Sequence, residues 1–222
     1  MDQHQPLQNR VTPFGEIVAV PQRGSLMGNR GKLHDDSKTL SQRRWARKQW
    51  VTCRLDHKGR RRTLMAPDSY TELFFLDEAT ALAAGHRPCG ECRPERYRAF
   101  VEAWSAAHRS ENDARKSRSI SEIDRELHSQ RVDARTRKQR RWQANIRTLP
   151  TGTIIEKPNL PGVPWLVVGN RLLRWSFDGY QEAKQVRPDE AIDVLTPAGT
   201  VMAIAGGYNV DIHPSATELE KL

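Results

Sequence analysis

Cys89-Gly90-Glu91-Cys92 is the segment with the clearest chemical content. Two residues between cysteines let both thiolates reach one ion, Gly90 eases the turn, and a helix opening directly afterwards would set its positive N-terminal end against Cys92. A tetrahedral zinc site needs two more ligands. Cys53-Arg54-Leu55-Asp56-His57 offers a cysteine and a histidine at short spacing, so the expected donors are Cys53, His57, Cys89 and Cys92, with His34, His86 and Asp56 as alternatives to His57. Mixed sulfur and nitrogen ligands in a compact closed site suit zinc better than iron. The competing reading is a redox-active or incidental C-x-x-C. Three cysteines, an odd number, do not make a disulfide framework.

The charge around Cys53 suggests what the site faces. Residues 43 to 62 carry nine basic side chains against Asp56 alone, and residues 109 to 147 carry twelve basic against six acidic. The segments between and after these blocks are each mildly acidic, and the whole 222-residue chain has a formal charge of +9. Arg44, Arg47, Lys48, Arg54, Arg60, Arg61 and Arg62 are interleaved with Trp45 and Trp50, a composition suited to phosphate pairing and base stacking, so DNA is the expected partner. A second candidate site is the Gly-rich stretch 24 to 36. There His34 would act as acid or base, Asp35 would orient it, and Asn29 or Arg30 would hold substrate. Its glycines do not match a phosphate-binding loop, since no G-K-[ST] follows. No run approaches the roughly 18 apolar residues of a membrane span, and the start lacks the apolar core of a secretory signal, so the expectation is a cytoplasmic, nucleoid-associated protein without membrane contact.

Periodicity and turn chemistry place these residues in an α+β chain. Residues 16 to 20 read as a strand, and 24 to 36 as a loop. Residues 49 to 55 and 61 to 66 suggest a hairpin turning at Asp56-His57-Lys58-Gly59. Asp77 should cap a helix from Glu78 to Ala84 that Gly85 ends, and Pro94 should open a second helix whose Tyr97, Phe100, Val101 and Trp104 share one face. Residues 109 to 147 read as a basic, polar helical linker with a thin stripe of Ile123, Leu127 and Ala134. Beyond Pro150, short runs including 200 to 208 read as about five strands of a small barrel-like module, with a hairpin turn at Gly169-Asn170. The expected organisation is an N-terminal strand and loop segment (1–47), a zinc-stabilised core (48–108), the linker (109–147) and the β-rich module (148–222).

The stretch from Phe74-Phe75 through Ala81-Leu82-Ala83-Ala84-Gly85 to Arg87-Pro88-Cys89-Gly90-Glu91-Cys92-Arg93-Pro94 closely resembles the zinc-binding N-terminal domain of the Ada DNA-repair family. The resemblance covers residues 48 to 105. It implies zinc, DNA and a specific role for Cys53, which matches the family's first cysteine, the irreversible acceptor of a methyl group from a methyl phosphotriester. The chain departs from the family where His57 replaces the second cysteine of C-x3-C. A neutral imidazole there removes one negative charge from the site and makes the remaining thiolates poorer nucleophiles. No helix-turn-helix pair and no P-C-H-R acceptor motif accompany the domain. A zinc-dependent DNA-binding protein of repair or its regulation is the leading expectation, with a Cys53 alkyl acceptor second and a DNA-processing enzyme at residues 24–36 third.

Overall fold

The structure, a computed structural model, describes residues 5–59, 63–109, 118–186 and 191–220. Among the described residues two six-stranded sheets and five α-helices form an α+β architecture. The first sheet contains β1 (Gln8–Val11), β2 (Ile17–Ala19), β3 (Leu26–Asn29), β4 (Val51–Cys53), β5 (Leu73–Phe75) and β6 (Arg87–Pro88). Its order is β2-β1-β5-β3-β4-β6, with parallel pairings for β1/β5 and β4/β6 and antiparallel pairings elsewhere. β3 lies inside the stretch expected to be loop. Its apolar Leu26-Met27 pair is short, but β5 and β4 supply backbone partners on both sides. Gly28 is required there, because a Cβ at that position would stand 2.2 Å from the Val51 carbonyl oxygen.

Among the described residues the hairpin expected between 49–55 and 61–66 is not seen: both edges of β4 are taken, by β3 and by β6, residues 63–66 have no strand pairing, and residues 61–62 lie outside the described residues. Helix α1 (Glu78–Ala83) starts as the sequence requires, with the Asp77 carboxylate accepting from the Thr80 amide at 2.8 Å, and Gly85 follows it at φ +81°. Helix α2 (Pro94–Ala107) buries Phe100 and Trp104 completely. Helix α3 (Ile120–Arg131) opens on a reciprocal capping box between Ser119 and Glu122. Ile123 and Leu127 of α3 are buried, whereas Ala134 is exposed beyond its end.

The second sheet is antiparallel throughout. It contains β7 (Trp142–Asn145), β8 (Ile154–Lys157), β9 (Leu160–Val168), β10 (Arg171–Ser176), β11 (Gly179–Gln185) and β12 (Ala191–Val194), in the order β11-β10-β9-β8-β12-β7. The Gly169-Asn170 turn joins β9 to β10 as its sequence indicates. The sheet is open: β11 and β7 are its two edges and do not close into a barrel. Residues 200 to 208, expected as a strand, instead lie mostly in α4 (Ala198–Ala205). A run apolar on all sides suits a buried helix as well as a buried strand, and here α4 packs against α2 and α3. Gly199 permits that approach, since a Cβ would meet the Trp104 ring at 2.3 Å. A short helix, α5 (Ser215–Glu220), follows.

One apolar cluster takes in Leu76, Leu82, Phe100, Trp104, Ile123, Leu127, Leu166, Leu173 and Ala216, and so crosses the segment boundaries at 108 and 148. Two buried acids reinforce it. Asp77 accepts from the Tyr180 hydroxyl at 2.8 Å and the His213 amide at 3.0 Å, while Glu78 pairs with Arg93 at 2.8 Å and accepts from the Tyr208 hydroxyl at 2.8 Å. Among the described residues no helix is long and apolar enough to cross a membrane.

Candidate metal centre

Parallel pairing of β4 with β6 decides where the cysteines meet. Val51 lies opposite Arg87 and Thr52 opposite Pro88, so Cys53 and Cys89 leave adjacent strand ends together. The Cys89 amide donates to the Thr52 carbonyl at 2.9 Å, and Arg93 Nη1 donates to Thr52 Oγ1 at 2.8 Å, locking the knuckle to the strand. Behind it, Arg87 forms a buried two-point ion pair with Asp124 of α3, at 2.8 and 2.7 Å. Pro94 then opens α2 as expected.

The result is a cluster of Cys53, Cys89 and Cys92 whose sulfur atoms all lie within 4.8 Å of one another. Tetrahedral zinc with Zn–S bonds of about 2.3 Å separates sulfurs by roughly 3.8 Å, so the spacing suits one ion. The amides of Cys92 and Glu91 donate to Cys89 Sγ, and the Arg54 amide donates to Cys92 Sγ, a pattern that favours thiolates. Hydrogen bonding to Cys89 pushes the Cys53 thiol well above its ordinary value, with burial adding to it. The same bond, aided by the two amides, holds Cys89 at about 5. Burial raises Cys92, and the neighbouring Cys89 charge raises it further. One thiolate thus forms readily, and ionising all three requires a cation among them, which is donor chemistry fitting a metal. These cysteines lie close together and could hold a metal ion.

His57 does not join the sulfurs in this cluster. Its Nε2 lies 3.6 Å from the Glu91 carboxylate and is buried without a hydrogen-bond partner. It nevertheless lines the same cavity of about 320 Å³ as the three cysteines, together with Met27, Leu64 and Phe74. His34 and His86, the alternatives, are committed elsewhere. His34 bonds Thr71 Oγ1 at 2.6 Å and the Ala66 carbonyl at 3.1 Å, and His86 is packed between the Trp50 and Phe75 rings. Asp56 is exposed.

The residues of the 24–36 stretch do not gather into one constellation. Asn29 accepts from the Gly31 amide at 3.3 Å, and Asp35 folds onto Ser37 and Thr39 on the surface. The Ser37 hydroxyl, with the Thr39 amide, keeps the Asp35 carboxyl below its usual range. Arg30 turns inward to His86 Nε2 and the Gly15 carbonyl. Of the basic set, Arg44, Arg47, Lys48 and Arg54 are exposed, whereas Arg60, Arg61 and Arg62 lie outside the described residues. Arg54 borders the thiol cavity, and Arg44 lines a different cleft.

Sequence reasoning missed Glu72. Its Oε2 accepts from the Met65 amide at 2.8 Å, and its Oε1 is buried without a partner beside the thiol cavity. The alternation of Tyr70, Glu72 and Phe74 along an extended run is the signal that places all three on the cavity side. Comparison of the chain with family models, with curated proteins and with solved structures finds no match in any of the three.

Proposed function

We propose that the protein is a zinc-dependent DNA-binding protein of the Ada type, acting in DNA repair or its regulation. The observation that carries this reading is the convergence of Cys53 with Cys89 and Cys92, which unites the two halves of the motif resembling the Ada domain. Zinc would be held by these three cysteines and by His57, which borders the same cavity. When bound, the ion keeps the thiolates deprotonated and ties β4 to the start of α2. Arg54 beside the cavity, with Arg44, Arg47 and Lys48 on the chain leading into β4, supplies cations for a phosphate backbone.

Metal analysis should find one zinc per chain, lost in Cys89→Ser and Cys92→Ser. Four phosphate contacts predict a log–log salt slope of about −4 for DNA affinity. A zinc-free chain or a salt-independent affinity would overturn the reading.

A second reading is favoured by the apolar cavity that opens at Cys53. Met27, Leu55, Leu64 and Phe74 form a slot beside the sulfur with room for a methyl-bearing group. In that reading the Cys53 thiolate bonds to the methyl carbon of a DNA methyl phosphotriester, the carbon–oxygen bond breaks, and the electron pair leaves on the phosphodiester oxygen, with Arg54 beside the new negative charge. Intact mass spectrometry after exposure to methylated DNA, with peptide mapping, tests it. An adduct absent from Cys53 rules it out.

A further inference from the structure

A second cleft, of about 790 Å³, shares no lining residue with the thiol cavity. Among the described residues its basic lining is Arg30, Arg44, Arg131, Arg137, Lys138 and Arg141, and its one acidic lining residue is Glu16, an exposed side chain. Arg141 is already ion-paired with Glu156, and Arg137 leans on the Gln42 carbonyl. Arg44 and Lys138 are exposed.

Two of these guanidiniums are unusual. Arg30 is 2% exposed and Arg131 1% exposed, yet neither has a carboxylate partner among the described residues. Arg30 Nε donates to His86 Nε2 at 3.3 Å and Nη1 to the Gly15 carbonyl at 3.0 Å, while Nη2 is buried without a partner. Arg131 donates to the carbonyls of Gly85 and Lys48 and contacts His128 Nδ1, while its Nε has no partner. Both groups lie over the Trp50 ring, at 4.1 and 3.9 Å, which offsets only part of their charge. The nearby carboxylate, Asp124, is engaged on both oxygens by Arg87. Burial lowers Arg30 to about 9, which leaves it charged at neutral pH. Two buried positive charges without an acid are costly unless something else brings the negative charge.

We propose that this cleft binds a phosphate monoester, with the phosphate dianion against Arg30, with Arg44 and Lys138 at its mouth, and with Arg131 across the Trp50 ring adding to the positive field. A dianion matches this excess of uncompensated positive charge, and the planar fork of arginine is suited to phosphate oxygens. Gly15 lines the cleft on the side of Arg30 Nη2, where even a Cβ would lie 3.6 Å from that nitrogen. The volume falls within the range of small-molecule sites, and Phe14, Ile17 and Val132 give apolar wall for the uncharged body of a nucleotide. A free mononucleotide and the phosphorylated end of a strand present the same group. The site stands independently of any metal at the cysteines.

Calorimetric titration of the full chain with AMP, adenosine and inorganic phosphate, and with one oligonucleotide carrying either a 5′-phosphate or a 5′-hydroxyl, decides the matter. AMP and phosphate should bind and adenosine should not. Arg30→Met should weaken AMP binding by about tenfold or more. The surface double variant Arg44→Glu, Lys138→Glu, which leaves the core intact, should weaken it as well. A tenfold preference for the 5′-phosphorylated strand over its hydroxyl twin would assign the site to strand ends, and binding of AMP without that preference would assign it to a free nucleotide. Equal binding of AMP and adenosine, no binding of either phosphate or AMP, or unchanged binding by the Arg44/Lys138 variant would each overturn the proposal.

Discussion

His86 shows how a single side chain can be read locally and still be misjudged. It sits within the stretch resembling the Ada domain, three residues before Cys89, and a histidine there is a natural candidate ligand. It is instead fully buried against Trp50 and Phe75, with Arg30 at its Nε2. Burial, with Arg30 and Arg131 close by, depresses its pKa well below 6.5. His128, next to Arg131 and Lys48, is lowered to about 4, again chiefly by burial. The unfolded chain takes up protons near the ordinary histidine value and the folded chain does not, so acidification through that window favours unfolding. Urea midpoints measured from pH 7.5 down to pH 5 should therefore fall steadily. A midpoint that stays level across that interval contradicts the assignment of both histidines as neutral.

Elements with a strong local signal form where their residues ask for them. Asp77 caps α1, Pro94 opens α2, and Gly169-Asn170 turns β9 into β10, because each effect acts within a few residues. The failures share a different cause. β3 has little propensity of its own and exists because β4 and β5 pair with it. The apolar run at 200 to 208 has no period that separates helix from strand, and its helical form depends on α2 and α3. Gly85 joins the local and distant effects. It ends α1 at φ +81°, and a Cβ there would stand 2.4 Å from Arg131 Cδ, whereas Gly59, at φ +64°, has nothing within 4 Å. Gly59→Ala should cost about 1 kcal/mol from backbone strain alone. Gly85→Ala should cost about 2–4 kcal/mol, since overpacking adds to the strain. Equal losses in urea unfolding would mean that Arg131 does not press on this turn.

At the scale of the whole molecule, the cysteine-bearing segment and the C-terminal sheet hold each other. Trp175 of β10 donates to Thr80 Oγ1 at 2.9 Å, and Tyr180 and Tyr208 reach back to Asp77 and Glu78. These contacts lie over a shared apolar cluster running from Leu76 to Ala216. Removing residues 148–222 would strip one side of that cluster and leave Asp77 and Glu78 without their tyrosine partners. A fragment of residues 1–147 should show no cooperative thermal transition by circular dichroism. A sharp transition in the fragment would establish an independent N-terminal unit. The charge is likewise organised across the molecule: one basic block reaches the thiol cavity through Arg54 and the second cleft through Arg44, so charges concentrated in sequence border two separate recesses.

By itself the sequence determined the chemistry on offer: three thiols, a C-x-x-C set before a helix, and an excess of arginine near Cys53. Ligand type, cap and turn are written in neighbouring residues, so they can be read without knowing the fold. Tertiary structure decided which of these groups meet. Strand pairing brings Cys53 to Cys89 and Cys92 while leaving His57 against Glu91. Burial turns Arg30 and Arg131 from two arginines among many into a pair of charges with no carboxylate partner among the described residues. Convergence and desolvation depend on residues distant along the chain, and only the packed molecule sets them.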